Sequence, residues 1–459
     1  MNSELASEQT APLSPARWVP TLYFAEGLPF VAIAMVSALM YKNLGIADAQ
    51  IAFWTSLVMI PWTLKPLWGP VLEMFKTKKY FVVGTQFIGG VTFGLLALTL
   101  PLDGFFRYSL ALFAIIAFNG ATHDIAADGV YINVLAPKAQ AKFVGWQGAS
   151  YNIAKVFTQG ALVYLAGQLE TSIGVVHAWM IVMGVFGAVL VLLSLYHAKF
   201  LPSGGAATSI TTYGEGFATL RDVVLTFFRK KYIGWGILFI ILYRFAEGQA
   251  IKIVPLFLKA AREQGGIGLS TSEIGIVYGT FGAAAFVIGS LLAGYFIAGR
   301  GLRRSLFVLC CFFNIPFAVY AFLAITMPTD LRIVGAAVVC EYFGYGFGFT
   351  GLTLFMMQQI APGKYRMAHY AFATGIMNLG IMIPSMLSGF VSDWLGYRNF
   401  FIWVMVATIP SFVITWLVPF RDTEAESADA GSAGGGASGG TGGGRAVGAG
   451  NAPGQGEQP

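Results

Sequence analysis

Apolar stretches of about 20 residues recur along the whole chain, and they constrain its fold more than any other feature. A helix of about 20 apolar residues is needed to cross a bilayer core about 30 Å thick. Lipid offers backbone groups no water to bond, so these stretches must be helices rather than open sheets. Only 11% of the 459 residues are charged, whereas soluble domains have about 25%. The composition therefore excludes ordinary soluble enzymes, disordered proteins and nucleic-acid-binding modules.

The pattern predicts an all-α polytopic membrane protein with about twelve transmembrane helices. The residues before the first apolar stretch are polar, with neither a basic segment nor a cleavage site, so we expect a retained helix and not a signal peptide. The predicted spans are 18–41, 51–72, 81–101, 108–135, 142–168, 176–197, 232–258, 272–298, 305–327, 331–360, 367–391 and 399–419.

Lysine and arginine are concentrated in one set of the connections between these spans. Fifteen of them lie in that set and six in the alternate set. The excess predicts that the first set is cytoplasmic, which places both termini inside the cell. The net charge of +6 therefore reflects the orientation of the chain in the membrane. We expect the lipid bilayer as its partner and no nucleic acid.

The longest internal connection, 199–231, separates six predicted spans from six. We expect an N-terminal segment (1–17), a first half (18–198), this connecting loop, a second half (232–420) and a tail (421–459). Apolar residues at helical spacing over 217–227 predict a short interfacial helix inside the loop. Thirteen of the 39 tail residues are glycine, which predicts a flexible cytoplasmic tail.

A short sequence is repeated in the first helix of each half. Phe-Ala-Glu-Gly occurs at 24–27 and again at 245–248. Parallel six-helix repeats are the architecture of the major facilitators, which bind substrate near the midplane between the halves. The repeat therefore predicts that fold.

A glycine, an acid and a basic cluster stand between the second and third predicted spans, and a weaker copy follows the eighth. They can form a latch whose charges meet in one conformation and separate in another. The alternative is a plain positive-inside signal. The candidate latch residues are Gly69, Glu73, Lys76, Lys78 and Lys79, with Arg300, Arg303 and Arg304 in the second copy.

Nine charged residues and one histidine fall inside the predicted spans. A charge at the bilayer centre costs at least about 2.5–3.5 kcal/mol, so such residues usually face a bundle interior and find partners. Together they predict a polar cavity. The candidates for proton coupling are Glu26, His123, Asp124, Asp128, Glu247 and Glu341, and the basic candidates for substrate binding are Lys65, Lys155, Arg244 and Lys252.

Asp124 and Asp128 are four residues apart, so they share one face of the fourth predicted helix. Two close carboxylates cannot both ionise easily, so we expect one of them to carry a proton. His123 points about 100° away around the helix. The alternative is a packing network of ions with Lys65 or Lys155. We expect no metal ion here, because no further histidine or cysteine supports one.

For each of the other polar residues within the predicted spans, more than one interpretation is open. Glu26 precedes a glycine and a proline that loosen the helix, so it suits a gate, a cation relay or a simple kink. Arg244 and Glu247 are three apart and can pair with each other. The stretch 342–348 alternates glycine with aromatic residues, which favours close helix approach, although Tyr342 and Tyr345 can also stack on a substrate ring. Lys65 can reach the cytoplasmic interface or bind an anion.

Three segments, 23–29, 61–70 and 123–129, together resemble the AmpG-like muropeptide permeases of the major facilitator superfamily. They contain the patterns Leu-Lys-x-Leu-Trp-x-Pro and Asp-Ile-Ala-x-Asp. The resemblance implies proton-driven inward transport of anhydro-muropeptides across a bacterial inner membrane. The polar positions that match the family are Glu26, Lys65, Asp124, Asp128 and Glu341. Two positions depart from the pattern, since the family is expected to have glutamine at the position of His123 and often has a small or polar residue at that of Glu26.

Two other functions fit the same residues. Within transport, the alternative is an importer of another large anionic solute, such as a siderophore or acetyl-coenzyme A. Outside transport, the alternative is a membrane sensor. The chain has no catalytic motif, so we expect neither an enzyme nor a cofactor. Three cysteines in apolar runs indicate no disulfide scaffold, and we expect a monomer that binds a solute and a coupling ion.

Overall fold

The described part of the chain is helical throughout. The computed structural model describes residues 14–69, 72, 77–204, 213–363 and 365–420, and these contain no β-strand. The predicted all-α class is therefore confirmed. Two candidate latch residues, Glu73 and Lys76, and the tail 421–459 lie outside the described residues.

The helices follow one another with short connections. In the first half they are α1 (Pro15–Asn43), α2 (Asp48–Leu57), α3 (Ile60–Leu64), α4 (Lys78–Thr99), α5 (Phe105–Val134), α6 (Pro137–Lys155, continued by a π-helical segment Val156–Leu162 and by Val163–Ile173) and α7 (Val175–Phe200). After them come α8 (Tyr213–Phe228), α9 (Ile233–Tyr243), α10 (Phe245–Lys259), α11 (Thr271–Arg300), α12 (Leu302–Thr326), α13 (Leu331–Ile360), α14 (Arg366–Ala407) and α15 (Ile409–Leu417).

The predicted spans coincide with these helices. Among the described residues, eight helical stretches are long and apolar enough to cross a membrane, and one of them, Ala368–Leu417, has 50 residues. At about 1.5 Å per residue that stretch is twice as long as a bilayer requires. The chain bends inside it at Gly396, where φ is 72°, so it accounts for two spans. The other three spans coincide with α2–α3, α6 and α9–α10, and Arg244 interrupts the last of these.

The surface of the bundle is apolar where a soluble protein would be polar. Leu98, Leu192 and Trp416 are 63%, 64% and 80% exposed. Such side chains are stable only against lipid or another apolar partner. The exposed faces therefore agree with a multi-pass membrane protein.

Glycines allow the two halves to approach at backbone distance. The halves meet most extensively along two helix pairs, α2 with α14 and α6 with α11. A Cβ added at Gly279 of α11 would lie 2.0 Å from the carbonyl oxygen of Gln159 in α6, and one added at Gly389 of α14 would lie 2.4 Å from the Cα of Ala49. Both contacts leave no room for a side chain. The π-helical segments of α6 and α11 face each other at this crossing.

The predicted helix in the connecting loop is present as α8. Phe227 is fully buried and packs on His369 and Phe372 of α14, with ring centroids 5.7 Å away in both cases. Near the start of α8, Phe217 is 74% exposed. A helix that buries one aromatic side chain and exposes another suits a position at a membrane interface.

Replacing Gly279 by alanine is expected to weaken the contact between the halves, because the new methyl group would collide with backbone. Overpacking of this kind costs about 1–3 kcal/mol. The melting temperature of the purified protein in detergent should therefore fall. Gly294→Ala in the same helix is the matched control, since a Cβ there meets nothing within 4 Å. Equal melting temperatures for the two variants would contradict the packing argument.

Candidate functional site

Lys65 and Asp124 form the centre of a polar cluster in the first half. Pro66 cannot continue the hydrogen bonds of α3, so the chain tightens into a 3-10 turn over Lys65–Leu67. The Lys65 ammonium lies 3.5 Å from Oδ2 of Asp124. The indole N–H of Trp62 donates to the same oxygen over 2.9 Å. Lys65 is thus paired with a carboxylate rather than extended to the membrane surface.

The position of Trp62 follows from a glycine on the facing helix. A Cβ added at Gly120 would lie 2.6 Å from the Trp62 ring, so only glycine leaves space for the indole against α5. Asp124 is 6% exposed, and its second oxygen accepts no hydrogen bond among the described residues. Asp124 therefore keeps one carboxylate oxygen available for another ligand.

Two more carboxylates belong to this cluster. The hydroxyl of Tyr23 donates to Oδ1 of Asp128 over 2.9 Å. Glu26, three residues after Tyr23 on α1, interacts electrostatically with Asp124, Asp128 and Lys65. One oxygen of Glu26 is buried without a hydrogen bond in the described part of the chain. Three acids thus share one basic side chain, and the cluster has an excess of acid.

His123 faces away from the acidic cluster, as its position on the helix predicts. Its Nε2 lies 2.9 Å from Nε2 of Gln86. The other end of the Gln86 amide lies 2.9 Å from Nδ1 of His197, and Nε2 of His197 lies 2.9 Å from the hydroxyl of Thr21. A buried chain of hydrogen bonds therefore connects α5, α4, α7 and α1.

Arg244 and Glu247 pair with each other in the second half. Two nitrogens of the guanidinium donate to the two carboxylate oxygens over 2.6 and 2.5 Å. The same guanidinium lies 3.4 Å from the hydroxyl of Tyr345 and 5.1 Å from the ring centroid of Phe349. A buried bidentate pair is a closed unit, so neither charge is free for another partner.

Two lysines lie where the halves meet, and neither forms an ion pair among the described residues. The ammonium of Lys155 on α6 lies 4.7 Å from the ring centroid of Phe286 on α11. Lys252 on α10 is 4% exposed and donates to the carbonyl oxygen of Ala34 over 2.5 Å. Ala34 belongs to a π-helical segment of α1. The predicted loosening of α1 after its glycine and proline therefore provides an acceptor for a cation from the other half.

Glu341 and several tyrosines line a small cavity in the second half. Glu341 accepts a hydrogen bond of 2.9 Å from the hydroxyl of Tyr320. The rings of Tyr278 and Tyr342 meet edge to face at 4.9 Å. Met35 of α1 reaches the same cavity from the first half. The cavity is thus close to the interface between the halves.

The glycine and aromatic stretch of α13 has the packing role that its sequence favours. Cβ atoms added at Gly344 and Gly346 would lie 2.3 and 2.0 Å from the carbonyl oxygens of Phe312 and Phe286. These glycines let α11 and α12 approach α13 closely. The tyrosines of this stretch, Tyr342 and Tyr345, are directed towards other aromatic rings at 6.2 Å or less.

Hydrogen bonds connect the halves at one end of the bundle, which carries the loops with the six basic residues and is called the outer end here. Asp48 binds Lys42 at 2.6 Å and also accepts from the hydroxyl of Tyr397 on the other half. Glu170 accepts from the hydroxyl of Thr271 over 2.7 Å. Asn43 donates to both Glu170 and Thr271, over 2.6 and 2.9 Å. These bonds hold the outer end together.

Three residues of the first copy of the candidate latch, Gly69, Lys78 and Lys79, lie among the described residues. Gly69 lies just after the 3-10 turn. Lys78 is the first residue of α4 and is fully buried, with its chain over Gly129. The neighbouring Lys79 uses its backbone N–H to bind the carbonyl oxygen of Ser203. In the second copy, Arg300, Arg303 and Arg304 are exposed at the end of α11 and the start of α12. The latch role of these residues stays a prediction.

Several residues of the site were not singled out from the sequence. Tyr23 and Trp62 belong to the family-like segments, but nothing in those segments indicated that they donate to Asp128 and Asp124. Gln86 and His197 are polar residues within predicted spans, and that position is a signal which could have identified them. No group of three or more His, Cys, Asp or Glu side chains that could hold a metal occurs among the described residues.

Comparison with known proteins identifies the family. The model of the Major Facilitator Superfamily matches residues 21–363. The chain belongs to the Major Facilitator Superfamily. It is therefore a secondary transporter of this superfamily and not an enzyme, and its two six-helix halves are those of the superfamily fold.

The relatives of this facilitator include permeases of the AmpG type, so the resemblance is confirmed. The anhydromuropeptide permease of Escherichia coli K12 is 23% identical over 86% of this chain and 77% of its own length. A putative transporter, AmpG 1 of Rickettsia bellii, is 20% identical over 81% of this chain and 91% of its own length. A D-xylose-proton symporter structure superposes with a TM-score of 0.69 at 13% identity, covering 89% of this chain and 98% of that one.

Removing the carboxylates of the outer end is expected to let the halves separate there. In a background without native cysteines, a cysteine introduced at Ala250 reports access to the buried interface. Asp48→Asn with Glu170→Gln should raise its reaction rate with a membrane-impermeant maleimide several-fold, because both cross-half acceptors are weakened. Glu263→Gln, an exposed acid on the same end, is the control. An unchanged rate in the double variant would show that these bonds do not keep the outer end closed.

Proposed function

We propose that this chain imports anhydro-muropeptides across a bacterial inner membrane, driven by protons, with both termini in the cytoplasm. The observation that carries the proposal is the acidic cluster of three carboxylates around one lysine. The names of the sequence relatives support the cargo, and the distribution of lysine and arginine supports the orientation.

The acidic cluster suits proton coupling because its charges do not balance. Glu26, Asp124 and Asp128 together have three possible negative charges, and Lys65 has one positive charge. An excess of unpaired charge is costly inside a membrane. A bound proton lowers that cost, so the cluster can exchange protons as the cavity opens to one side and then the other. The cluster also faces the second half, since Tyr370 of α14 interacts with Lys65 and Asp128.

Lys155 and Lys252 provide the positive charge for an anionic cargo. Both lie at the interface of the halves, and both contact the opposite half. Because neither forms an ion pair among the described residues, an incoming anion would not have to displace a carboxylate. Arg244 is different, since Glu247 already neutralises it. The proposal therefore assigns cargo binding to the lysines and a structural role to the arginine.

Alternating access follows from the way the halves are joined. Bonds through Asp48 and Glu170 hold the outer end, as described above. Rocking the halves about the glycine contacts of α2 with α14 and α6 with α11 would break those bonds and expose the cavity outwards. Binding of protons and anionic cargo together neutralises buried charge, and this lowers the free-energy cost of opening the cavity.

The second candidate is import of another large anion, such as a siderophore or acetyl-coenzyme A. The lysines at the interface favour it equally, because they select for negative charge and not for a particular cargo. Uptake by purified protein in liposomes separates the two. Labelled anhydro-muropeptide should accumulate when the outside is more acidic, and labelled siderophore should not. The reverse result would replace the proposed cargo and leave proton-driven import standing.

Asp124→Asn and Asp128→Asn are expected to abolish or uncouple pH-driven uptake, because each removes one acid from the cluster. The protein should still insert into the membrane and show normal melting. Asp103→Asn, an exposed loop residue, is the control and should transport normally. The measurement is initial uptake with and without a pH gradient. Unchanged gradient-driven uptake in both aspartate variants would refute proton coupling through this cluster.

A further inference from the structure

The cavity in the second half contains a carboxylate for which the mechanism above has no use. It is lined by Met35, Glu247, Tyr278, Tyr320, Glu341 and Tyr342. Glu341 is 6% exposed, so its side chain is held away from water. A buried carboxylate normally pairs with a cation or is bound by several donors.

Glu341 has neither arrangement in the described part of the chain. Its bond from the Tyr320 hydroxyl, 2.9 Å long, is the only hydrogen bond that it makes there. No lysine, arginine or histidine of that part lies within ion-pair distance of it. The charged neighbour that does act on Glu341 is Glu247, and Glu247 is already paired with Arg244. The position therefore favours the arrival of a positive group from outside the chain.

The walls of the cavity suit such a group. Tyr278 and Tyr342 present their rings at 4.9 Å from each other, nearly perpendicular. Aromatic faces attract ammonium groups, and more strongly when the site is dry. The Tyr342 hydroxyl is buried and interacts with the hydroxyl of Tyr278, although their geometry is not that of a regular hydrogen bond. It is thus a second polar atom that can receive an N–H from a ligand.

The cavity also lies near the lysine that the proposed function uses for anions. Lys155 and Glu341 both interact electrostatically with Glu247. The two residues are therefore near the same carboxylate. Lys155 lacks a carboxylate partner in the described residues and Glu341 lacks a cation. A cargo with both charges would supply the missing partner to each.

We infer that Glu341 and the tyrosines around it form a subsite for an ammonium group of the cargo. The transporter then selects solutes that carry a cationic group in addition to an anionic one. This inference rests on the proposed import of a peptide-bearing cargo and adds the charge that such a cargo must carry.

Paired cargoes test the subsite. One is an anhydro-muropeptide whose peptide has a free side-chain amine, and the other is the same compound acetylated on that amine. We expect wild-type protein in liposomes to take up the free amine about tenfold faster, as a charge-assisted bond to a buried carboxylate implies. Glu341→Gln should remove this preference while uptake of the acetylated compound continues. Tyr320→Phe, which removes one hydroxyl, should reduce the preference partially, and Glu263→Gln should leave it unchanged.

Other outcomes have definite meanings. Equal uptake of the two compounds by the wild type would overturn the subsite and leave the proposed import intact. Equal loss of both compounds in Glu341→Gln would also overturn it, since that result assigns Glu341 to proton coupling or to folding. Normal melting of the variant separates those two explanations.

A test without the cargo covers the case in which neither compound is taken up and the proposed import itself fails. Purified full-length protein is treated with a hydrophobic carbodiimide, and modification of Glu341 is followed by mass spectrometry. Trimethylammonium chloride, which cannot form an amide with the activated carboxylate, should slow that modification at least several-fold, and neutral tert-butanol of similar shape should not. Equal modification with the two probes would overturn the ammonium subsite independently of any transport result.

Discussion

One buried lysine among three carboxylates is the constraint on which the first half depends. Inside a bilayer, an unbalanced charge costs far more than in water. The chain reduces that cost with neutral donors, the Trp62 indole on Asp124 and the Tyr23 hydroxyl on Asp128. The remaining excess of acid cannot be compensated by the described residues alone. The proposed proton exchange follows from this excess of acid, because a bound proton lowers the cost of the buried charge.

Much of this arrangement could be predicted from the sequence, because local spacing decides it. Asp124 and Asp128 lie on one face since they are four residues apart on a helix. Arg244 and Glu247 pair because three residues bring them together on α10 and its cap. The glycines of α13 approach their neighbours as small residues in membrane helices do. In each case the rule needs one helix and no tertiary structure.

Contacts between distant helices could not be predicted in this way. The link from His123 through Gln86 to His197 joins residues up to 111 positions apart, and no spacing rule relates them. Lys78 stands in a basic run of the sequence, and nothing in that run indicates that tertiary packing buries it against a glycine of α5. Partners across the halves, such as Lys252 and Ala34, depend on how two helices cross. The crossing geometry of two helices cannot be derived from the spacing of residues in a single sequence.

The repeated Phe-Ala-Glu-Gly occurs in two different electrostatic environments. A shift of 221 residues relates Glu26 to Glu247 and Tyr23 to Arg244. In the first half the tyrosine donates to an aspartate and leaves the glutamate unpaired, so acid remains in excess. In the second half the arginine at the equivalent position neutralises the glutamate, and the remaining acid, Glu341, lies apart among tyrosines. The same helix position thus belongs to an acidic cluster in one half and to a neutral ion pair in the other, which is the asymmetry that the proposed proton site and cargo site require.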